Sequence, residues 1–372
     1  MKKIIFITST RADFGKIKSI ITETKKSNQF KVTIVVTGMH MLKEYGNTYT
    51  EVKKTFGNNL IKFKNQKNGD HLNEILANTT KKLSSIIKKN RPDLIVYHGD
   101  RVETLSAAIV GSLNHILTAH IEGGEVSGTI DDTIRHSVTK LSHIHFVGNK
   151  KAARRVVSMG ENKKKVFIIG SPDIDILLRK KLDLKKTKRR YGIKFKNYII
   201  LIWHPVTSEL NNLNNNTKKL MNYLSKIGEK VIVIFPNNDP GSKIIVNNYK
   251  KYFRNKNFKF LLNARFESFI TLLKGAIFII GNSSSAIYEA PLLKTPAINI
   301  GTRQNRRLNT KSILNININD LDSKKIKNYL KNYRNPKKKY YGAGNSAKKF
   351  LKCISRKSFW ETSNQKYFYE NE

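Results

Sequence analysis

DLIVYHGDRVETLSAAIV, residues 93–110, decides the fold. Its first part holds a short continuous apolar run, LIVY, and from Val102 onward it has the apolar spacing of a helix. A continuous run of this length reads as a strand buried on both faces, which is how strands of parallel sheets look. Strand, polar turn and helix make the first half of a βαβ unit. In the turn stand His98, Gly99, Asp100 and Arg101. A histidine and two opposite charges at the end of a buried strand serve little structural purpose. They suit an enzyme that handles an anionic substrate.

The pattern recurs in both directions. KIIFITST (3–10) and KVTIVVTG (31–38) precede it; ILTAHIEGG (116–124), HIHFVGN (143–149) and VFIIGSP (166–172) follow. Helical spacing fills most gaps, as in DFGKIKSIITETKK (13–26) and TLSAAIVGSLN (104–114). YIILIWHP (198–205), KVIVIFPNND (230–239), FKFLLN (258–263), AIFIIGNSS (276–284) and PAINIG (296–301) repeat the theme. The expected fold is α/β, with two doubly wound Rossmann-like domains facing a central cleft. The charged stretch LRKKLDLKKTKRRYG (178–192) reads as helix plus linker and places the junction between residues 175 and 195. That gives an N-terminal domain over 1–178 and a C-terminal domain over 179–355. The aromatics of SFWETSNQKYFYENE (358–372) predict a tail, residues 356–372, that docks rather than hangs free.

Bulk composition narrows the classes. A length of 372 residues suffices for two cores of ordinary size. Hydrophobic residues at 39% and charged residues at 26% fit a globular chain. No apolar run approaches the roughly 18 residues of a membrane span. MKKIIFITSTR reads as a first strand, since IIFI is too short for a secretion signal and Arg11 and Asp13 follow it. Cys353 is the only cysteine, so disulfide, thiol redox and cysteine-zinc chemistry have no support, and a reducing cytoplasm fits. The formal charge of +43 raises nucleic-acid binding. Yet the lysines are spread along the chain, with only short clusters such as KKTKRR (185–190) and PKKKYY (336–341), and no nucleic-acid-binding motif accompanies them. Abundant Lys, Asn and Ile fit drift in an AT-rich genome, while a positive field would also draw in an anionic substrate. Neither half carries G-x-G-x-x-G, so a nicotinamide cofactor is not expected.

Open α/β sheets bind ligands at the carboxyl ends of their strands. Arg11, His40, His98 to Arg101, Glu122, His204, Asn237 and Ser283 to Ser285 all fall at or just past such ends. In GNSSSAIYEAP (281–291), small hydroxyl residues at an expected helix start offer N–H groups to an anion, and Glu289 lies further along to take ribose hydroxyls. The plainer reading is a serine cap, which leaves Glu289 and Arg303 unexplained. In HIEGGEVSGTIDDTIRH (120–136), Glu122 ends a strand and Asp131, Asp132, Arg135 and His136 follow within two helical turns. Carboxylates gathered near one pocket suit acid/base work, since burial and like charge raise a carboxyl pKa. The plainer reading there is an acidic cap with a salt bridge. His98 with Asp100, or His143 with His145, lack a third ligand at fixed spacing, so no metal site is expected. His71 and His115 are given no task, and no G-x-S-x-G nucleophile motif is present.

TSTRADFGKIKSI, TGMH, VYHGDRVE, AHIEGGEVSGTIDDTIRH, WHPVTSE, FPNNDPGSK, GNSSSAIYEAP and INIGTRQNRR stand in this order along the chain. Together they resemble the hydrolysing UDP-N-acetylglucosamine 2-epimerases of sialic acid biosynthesis, over about residues 1 to 310 and the tail. The resemblance implies the glycosyltransferase-B fold, a last helix crossing back onto the first domain, and conversion of UDP-N-acetylglucosamine and water to N-acetylmannosamine and UDP. It implies elimination of UDP to a 2-acetamidoglucal followed by hydration, with no cofactor. It makes Asp100, Glu122 and Asp131 the acidic catalytic positions and His204 the histidine near the leaving phosphate. It places Arg11, Arg101, Asn237, Lys243, Ser283, Ser284, Glu289 and Arg303 around the nucleotide, with Phe269 against the base and His40 in the first domain. Arg135 and His136 join the binding set. A homodimer or homotetramer is implied too.

Two departures stand out. Gly15 replaces a serine usual after RADY, and Arg306 replaces a glycine usual in RQ-x-GR. Four alternatives compete: a hydrolysing epimerase of GDP- or UDP-linked diacetamido sugars of the legionaminic acid type, a non-hydrolysing epimerase, a glycosyltransferase on the same fold, and a basic nucleic-acid-binding protein. The last has no need of buried carboxylates.

Overall fold

The computed structural model describes residues 1–127, 130–179, 182–305, 312–335, 342 and 344–370. The chain forms two compact units. One comprises Met1–Glu125, Asp131–Arg179 and Tyr340–Glu372, the other Val126–Ile130 and Lys180–Lys339.

The first unit is built on β1 (Lys2–Thr8), β2 (Phe30–Val36), β3 (Leu60–Lys62), β4 (Leu94–His98), β5 (Leu117–Ile121), β6 (Ile144–Val147) and β7 (Val166–Ile168). Their order is β3-β2-β1-β4-β5-β6-β7 and every pairing is parallel. The chain winds outward from β1 to β3, then crosses back to β4. The order therefore reverses between β1 and β4, the point where such sheets bind ligands. Thr8 to Arg11 leave one of these strands and His98 to Arg101 the other. β3 has no counterpart in the sequence reading, because its three residues sit among polar ones.

Alternation along the strands sorts the two faces. Ile4, Phe6 and Val96 pack with Phe14, Ile17 and Ile21, while Ile5, Ile7, Ile95 and Tyr97 pack with Leu83, Ala107 and Val138. Both faces are buried, which is why the runs are apolar throughout. The helix Arg11–Lys26 starts on a capping box: Asp13 N donates to Thr10 Oγ1 at 3.1 Å and Thr10 N to Asp13 at 3.0 Å.

The helix Ser346–Ile354 and the short helix Lys357–Trp360 after it belong to this unit, so the return comes ahead of residue 356. Phe350 sets the position: its ring lies 4.6 Å from that of Phe146 and 6.2 Å from that of Phe6. The Asp175 carboxylate accepts from Ser346 N and Ala347 N at 2.8 and 2.7 Å, satisfying donors at the helix start.

The second unit repeats the plan with β8 (Ile199–Ile202), β9 (Val231–Ile234), β10 (Phe258–Leu261), β11 (Ile279–Gly281), β12 (Ala297–Ile300) and β13 (Ile313–Ile316). The order is β10-β9-β8-β11-β12-β13, again all parallel. Here the reversal lies between β8 and β11, beside His204 and Asn282. Two parallel-sheet α/β domains of the expected kind are thus present. The residues around the junction form the helices Pro172–Arg179 and Leu184–Arg190.

One local expectation is corrected. GNSSSAIYEAP does not start one continuous helix: Ser284–Ala286 is a single 3₁₀ turn, and the helix Glu289–Leu293 begins three residues later. Three consecutive serines favour turns over helix, and Pro291 cannot supply an N–H to an uninterrupted helix. Among the described residues no helix is long and apolar enough to cross a membrane.

Candidate active site

In the first unit, the ends of β1, β4 and β5 build the site. Glu122 follows β5 in left-handed backbone, φ 64°, an uncommon conformation for a residue with a side chain. The glycines after it are required by crowding: a Cβ on Gly123 would lie 2.8 Å from His120 Nδ1, and one on Gly124 2.4 Å from the Ala152 carbonyl oxygen. The kink brings the Glu122 carboxylate within reach of three partners. His98 Nε2 stands 2.9 Å from Oε2 and Lys16 Nζ 3.2 Å from it, while Ser171 Oγ donates to Oε1. Lys16 in turn faces buried Asp173 at 3.8 Å. Burial alone would raise the Glu122 pKa, but Lys16, His98 and Ser171 outweigh it and hold the carboxyl well below its ordinary range. This reverses the expectation that burial and neighbouring carboxylates raise it: the nearest charges are cations. Glu122 is a carboxylate at neutral pH.

Two residues from His98, Asp100 contacts the Arg135 guanidinium. Arg135 is 2% exposed, and its other arm donates to Asp132 at 2.6 Å and to the Glu125 carbonyl at 3.2 Å. The helix Ile130–Leu141 thereby fixes the turn after β4. Asp131, on its first turn, is half-buried. His136 is half-buried as well; burial lowers its pKa, and its Nδ1 has no hydrogen-bond partner among the described residues.

Arginines complete this side. Arg11 Nε donates to Glu51 at 2.6 Å. Arg101 Nε lies 3.4 Å from the fully buried Glu103, whose other oxygen accepts from Gln66 Nε2 at 2.9 Å. Gly38 leaves room for this: a Cβ there would sit 2.8 Å from Glu103 Oε1. His40 is fully buried, with Nε2 at 3.1 Å from Thr8 Oγ1 and Nδ1 at 2.7 Å from Thr48 Oγ1. Burial lowers its pKa to about 4. Both its nitrogens are engaged by threonines, so it braces the end of β1 from beneath.

In the second unit, Asn282 organises the end of β8. Its side chain accepts from His204 N at 2.7 Å and donates to His204 O at 2.8 Å. His204 Nδ1 accepts from Asn237 N at 3.1 Å. That bond places the proton of the neutral ring on Nε2. Burial, then the nearby Arg303 charge, keeps the His204 pKa well below its ordinary value, so it offers an N–H rather than a cation. Arg303 Nη1 approaches the Asn282 carbonyl at 3.4 Å, and Gln304 Nε2 donates to it at 2.8 Å. Ser283 caps the turn at Ser285 N, 3.3 Å away, and Glu289 is buried at the start of its short helix. Ser284 is half-buried, Lys243 is exposed on the helix Ser242–Lys250, and Phe269 is buried on Phe266–Lys274.

Arg306 and the PKKKYY cluster lie outside the described residues. Gly15 is buried in the first helix, one residue before Lys16. Sequence reasoning missed Lys16, Glu51, Glu103, Ser171 and Asn282. Lys16 had a weak signal, since it lies on the same helix as Arg11, more than one turn away. Glu51, Glu103 and Ser171 had none, because only the fold brings them in. Among the described residues no group of three or more His, Cys, Asp or Glu is placed to hold a metal ion.

The profile of the UDP-N-acetylglucosamine 2-epimerase family matches residues 22–355. A UDP-N-acetylglucosamine 2-epimerase of Neisseria meningitidis serogroup B is 40% identical, over 99% of each chain. A GDP/UDP-N,N'-diacetylbacillosamine 2-epimerase (hydrolyzing) of Campylobacter jejuni is 33% identical, over 86% of each. Among solved structures, the Methanocaldococcus jannaschii UDP-GlcNAc 2-epimerase in complex with UDP-GlcNAc and UDP superposes with a TM-score of 0.81 at 20% identity, over 95% of this chain and 99% of that one. The last likeness is one of fold.

Proposed function

Since the chain belongs to the UDP-N-acetylglucosamine 2-epimerase family, we propose that it is a hydrolysing 2-epimerase that converts UDP-N-acetylglucosamine and water to N-acetylmannosamine and UDP. The observation that carries this reading is Glu122, a half-buried carboxylate held ionised by Lys16, His98 and Ser171 on a left-handed turn. The 40% relative supports the sugar, and the 33% relative, whose name includes hydrolysis, supports release to water.

The residues divide the work as follows. Glu122 takes the C2 proton; the electron pair forms the C1=C2 bond, and the C1–O bond breaks with its pair passing to UDP. The second unit binds the nucleotide: His204 donates from Nε2 to the departing phosphate, and Arg303 supplies positive charge. Asn237, Lys243, Ser283, Ser284 and Glu289 contribute to the diphosphate and ribose, and Phe269 to the base. In the first unit Arg11 and Arg101, held by Glu51 and Glu103, contribute cations. Water then adds its hydroxyl at C1 while C2 receives a proton on the opposite face, with Asp100 and Asp131 as the acid and base of that step. His40, Arg135 and His136 shape the sugar side. The product would feed nonulosonic acid synthesis in the cytoplasm.

A second reading, a GDP- or UDP-linked diacetamido sugar, is favoured by the Campylobacter relative. Comparing kcat/KM on both sugars separates them. UDP-N-acetylglucosamine is expected to be the better substrate by about tenfold or more, the scale that one misfitted substituent commands. A preference of that size for the diacetamido sugar would install the second reading.

A further inference from the structure

The proposed chemistry leaves one buried charged cluster of the first unit without a task. Glu161 is 3% exposed and gathers three nitrogens. His145 Nε2 lies 2.9 Å away, Lys140 Nζ 2.8 Å away, and Lys366 Nζ is in direct contact. Burying one carboxylate is costly unless it is paired, and here two ammonium groups serve it. Only one ammonium is needed for neutrality. The second, Lys366, comes from the C-terminal segment, some 200 residues away in sequence.

Lys366 does more than meet Glu161. Its Nζ also contacts the Ser142 carbonyl and reaches that of Thr139 at 3.4 Å. Both lie at the C-terminal end of the helix Ile130–Leu141, whose first turns carry Asp131, Asp132 and Arg135. The last carbonyls of a helix lack partners within it and carry partial negative charge, so an ammonium there fixes the helix end. Neighbouring contacts seat the segment. His143 Nε2 donates to the Asn364 carbonyl at 3.0 Å, and Tyr369 N to the Gly160 carbonyl at 3.0 Å. The Phe368 ring lies where a Cβ on Gly160 would come within 2.2 Å of it. Lys140 stands 5.0 Å above that ring.

A second route runs from the same helix end to the turn after β4. Thr139 Oγ1 lies 3.1 Å from His120 Nδ1, and His120 Nε2 donates to the Gly99 carbonyl at 2.8 Å. Gly99 is the residue between His98 and Asp100. Burial keeps His120 neutral, as a ring that donates at one nitrogen and accepts at the other must be.

We propose that the segment Asn364–Tyr369 is a clamp on the helix Ile130–Leu141, and that Lys366 is a positioning residue for the reaction, setting Asp131, Arg135 and the His98–Asp100 turn from the far end of that helix. The inference rests on the reading that this helix and turn carry the chemistry.

The test compares full-length Lys366→Met and Lys366→Arg with the unaltered chain, well below their melting temperatures. Steady-state kinetics on UDP-N-acetylglucosamine and amide hydrogen exchange are both read. Lys366→Met is expected to lower kcat about tenfold while KM moves less than about threefold, the mark of lost positioning rather than lost binding. Exchange is expected to rise in residues 137–142 and 98–101 but not in β1, and Lys366→Arg is expected to restore most of both. Unchanged kcat with unchanged exchange in Lys366→Met overturns the clamp. Faster exchange spread equally over β1 overturns it too, because that is a merely structural role. Should Lys366→Met fail to fold, Phe368→Ala loosens the segment and keeps every charge; the same local exchange pattern supports the clamp, and its absence refutes it. If the unaltered chain does not turn over this sugar, the functional reading fails while the exchange data still decide the clamp.

Discussion

At the scale of the residue, the site is a set of committed protonation states. Glu122 is held as an anion by Lys16, His98 and Ser171, whereas His40, His120 and His204 are held neutral by burial. The histidines have a consequence for stability. An unfolded chain protonates a histidine near pH 6.5, while folded His40 waits until about 4 and His120 until about 3. Below pH 6.5 the unfolded state therefore binds more protons, and stability falls as pH falls, by about 1.4 kcal/mol per pH unit for each such group until its folded pKa is reached. His143, His145 and His204 act with the same sign. Denaturant titrations are expected to show clearly lower stability at pH 5 than at pH 7.5, with a shallower difference in His40→Asn; equal stability at the two values would contradict the assignment of neutral buried rings. Strand-end residues such as Glu122 and His204 were legible because the fold class says where to look. Their keepers were not. Glu103, Ser171 and Asn282 are ordinary polar residues whose meaning comes from neighbours far away in sequence, and the sign of the Glu122 shift depends on Lys16, whose one weak signal is that it shares the helix of Arg11.

At the scale of the element, the runs at β1, β2 and β4 to β6 could be read because they are mostly buried and therefore mostly apolar. β3 and β13 are short, and LIK and ILNI carry too little signal. The GNSSS stretch misled in detail, since hydroxyl residues after a strand announce a turn as readily as a helix. What the local sequence does specify there is Gly281. Its φ is 129°, and a Cβ would lie 2.0 Å from the Ile202 carbonyl oxygen on β8. That contact is with backbone and cannot be relieved by a rotamer change. Gly281→Ala is expected to destabilise the second unit by more than about 1 kcal/mol and to weaken UDP binding, because β11 leads directly into Asn282 and its hold on His204. Thermal melts and UDP titration check both effects, and an unshifted melt would mean that β8 and β11 do not pair as described.

At the scale of the whole molecule, two units share one winding plan, each with its own reversal of strand order. The plan follows from a few apolar runs and the polar residues that end them. The net charge of +43 has no single structural cause, because the lysines are spread over both units. The central claim is that the C2 proton is removed and replaced while UDP is lost to water. Proton NMR of the reaction with UDP-N-acetylglucosamine in deuterated buffer tests it most directly. The expected result is UDP together with free N-acetylmannosamine carrying deuterium at C2, and neither product from Glu122→Gln in the same time. N-acetylmannosamine that keeps its original proton at C2, a product still joined to UDP, or an unimpaired Glu122→Gln would contradict the account.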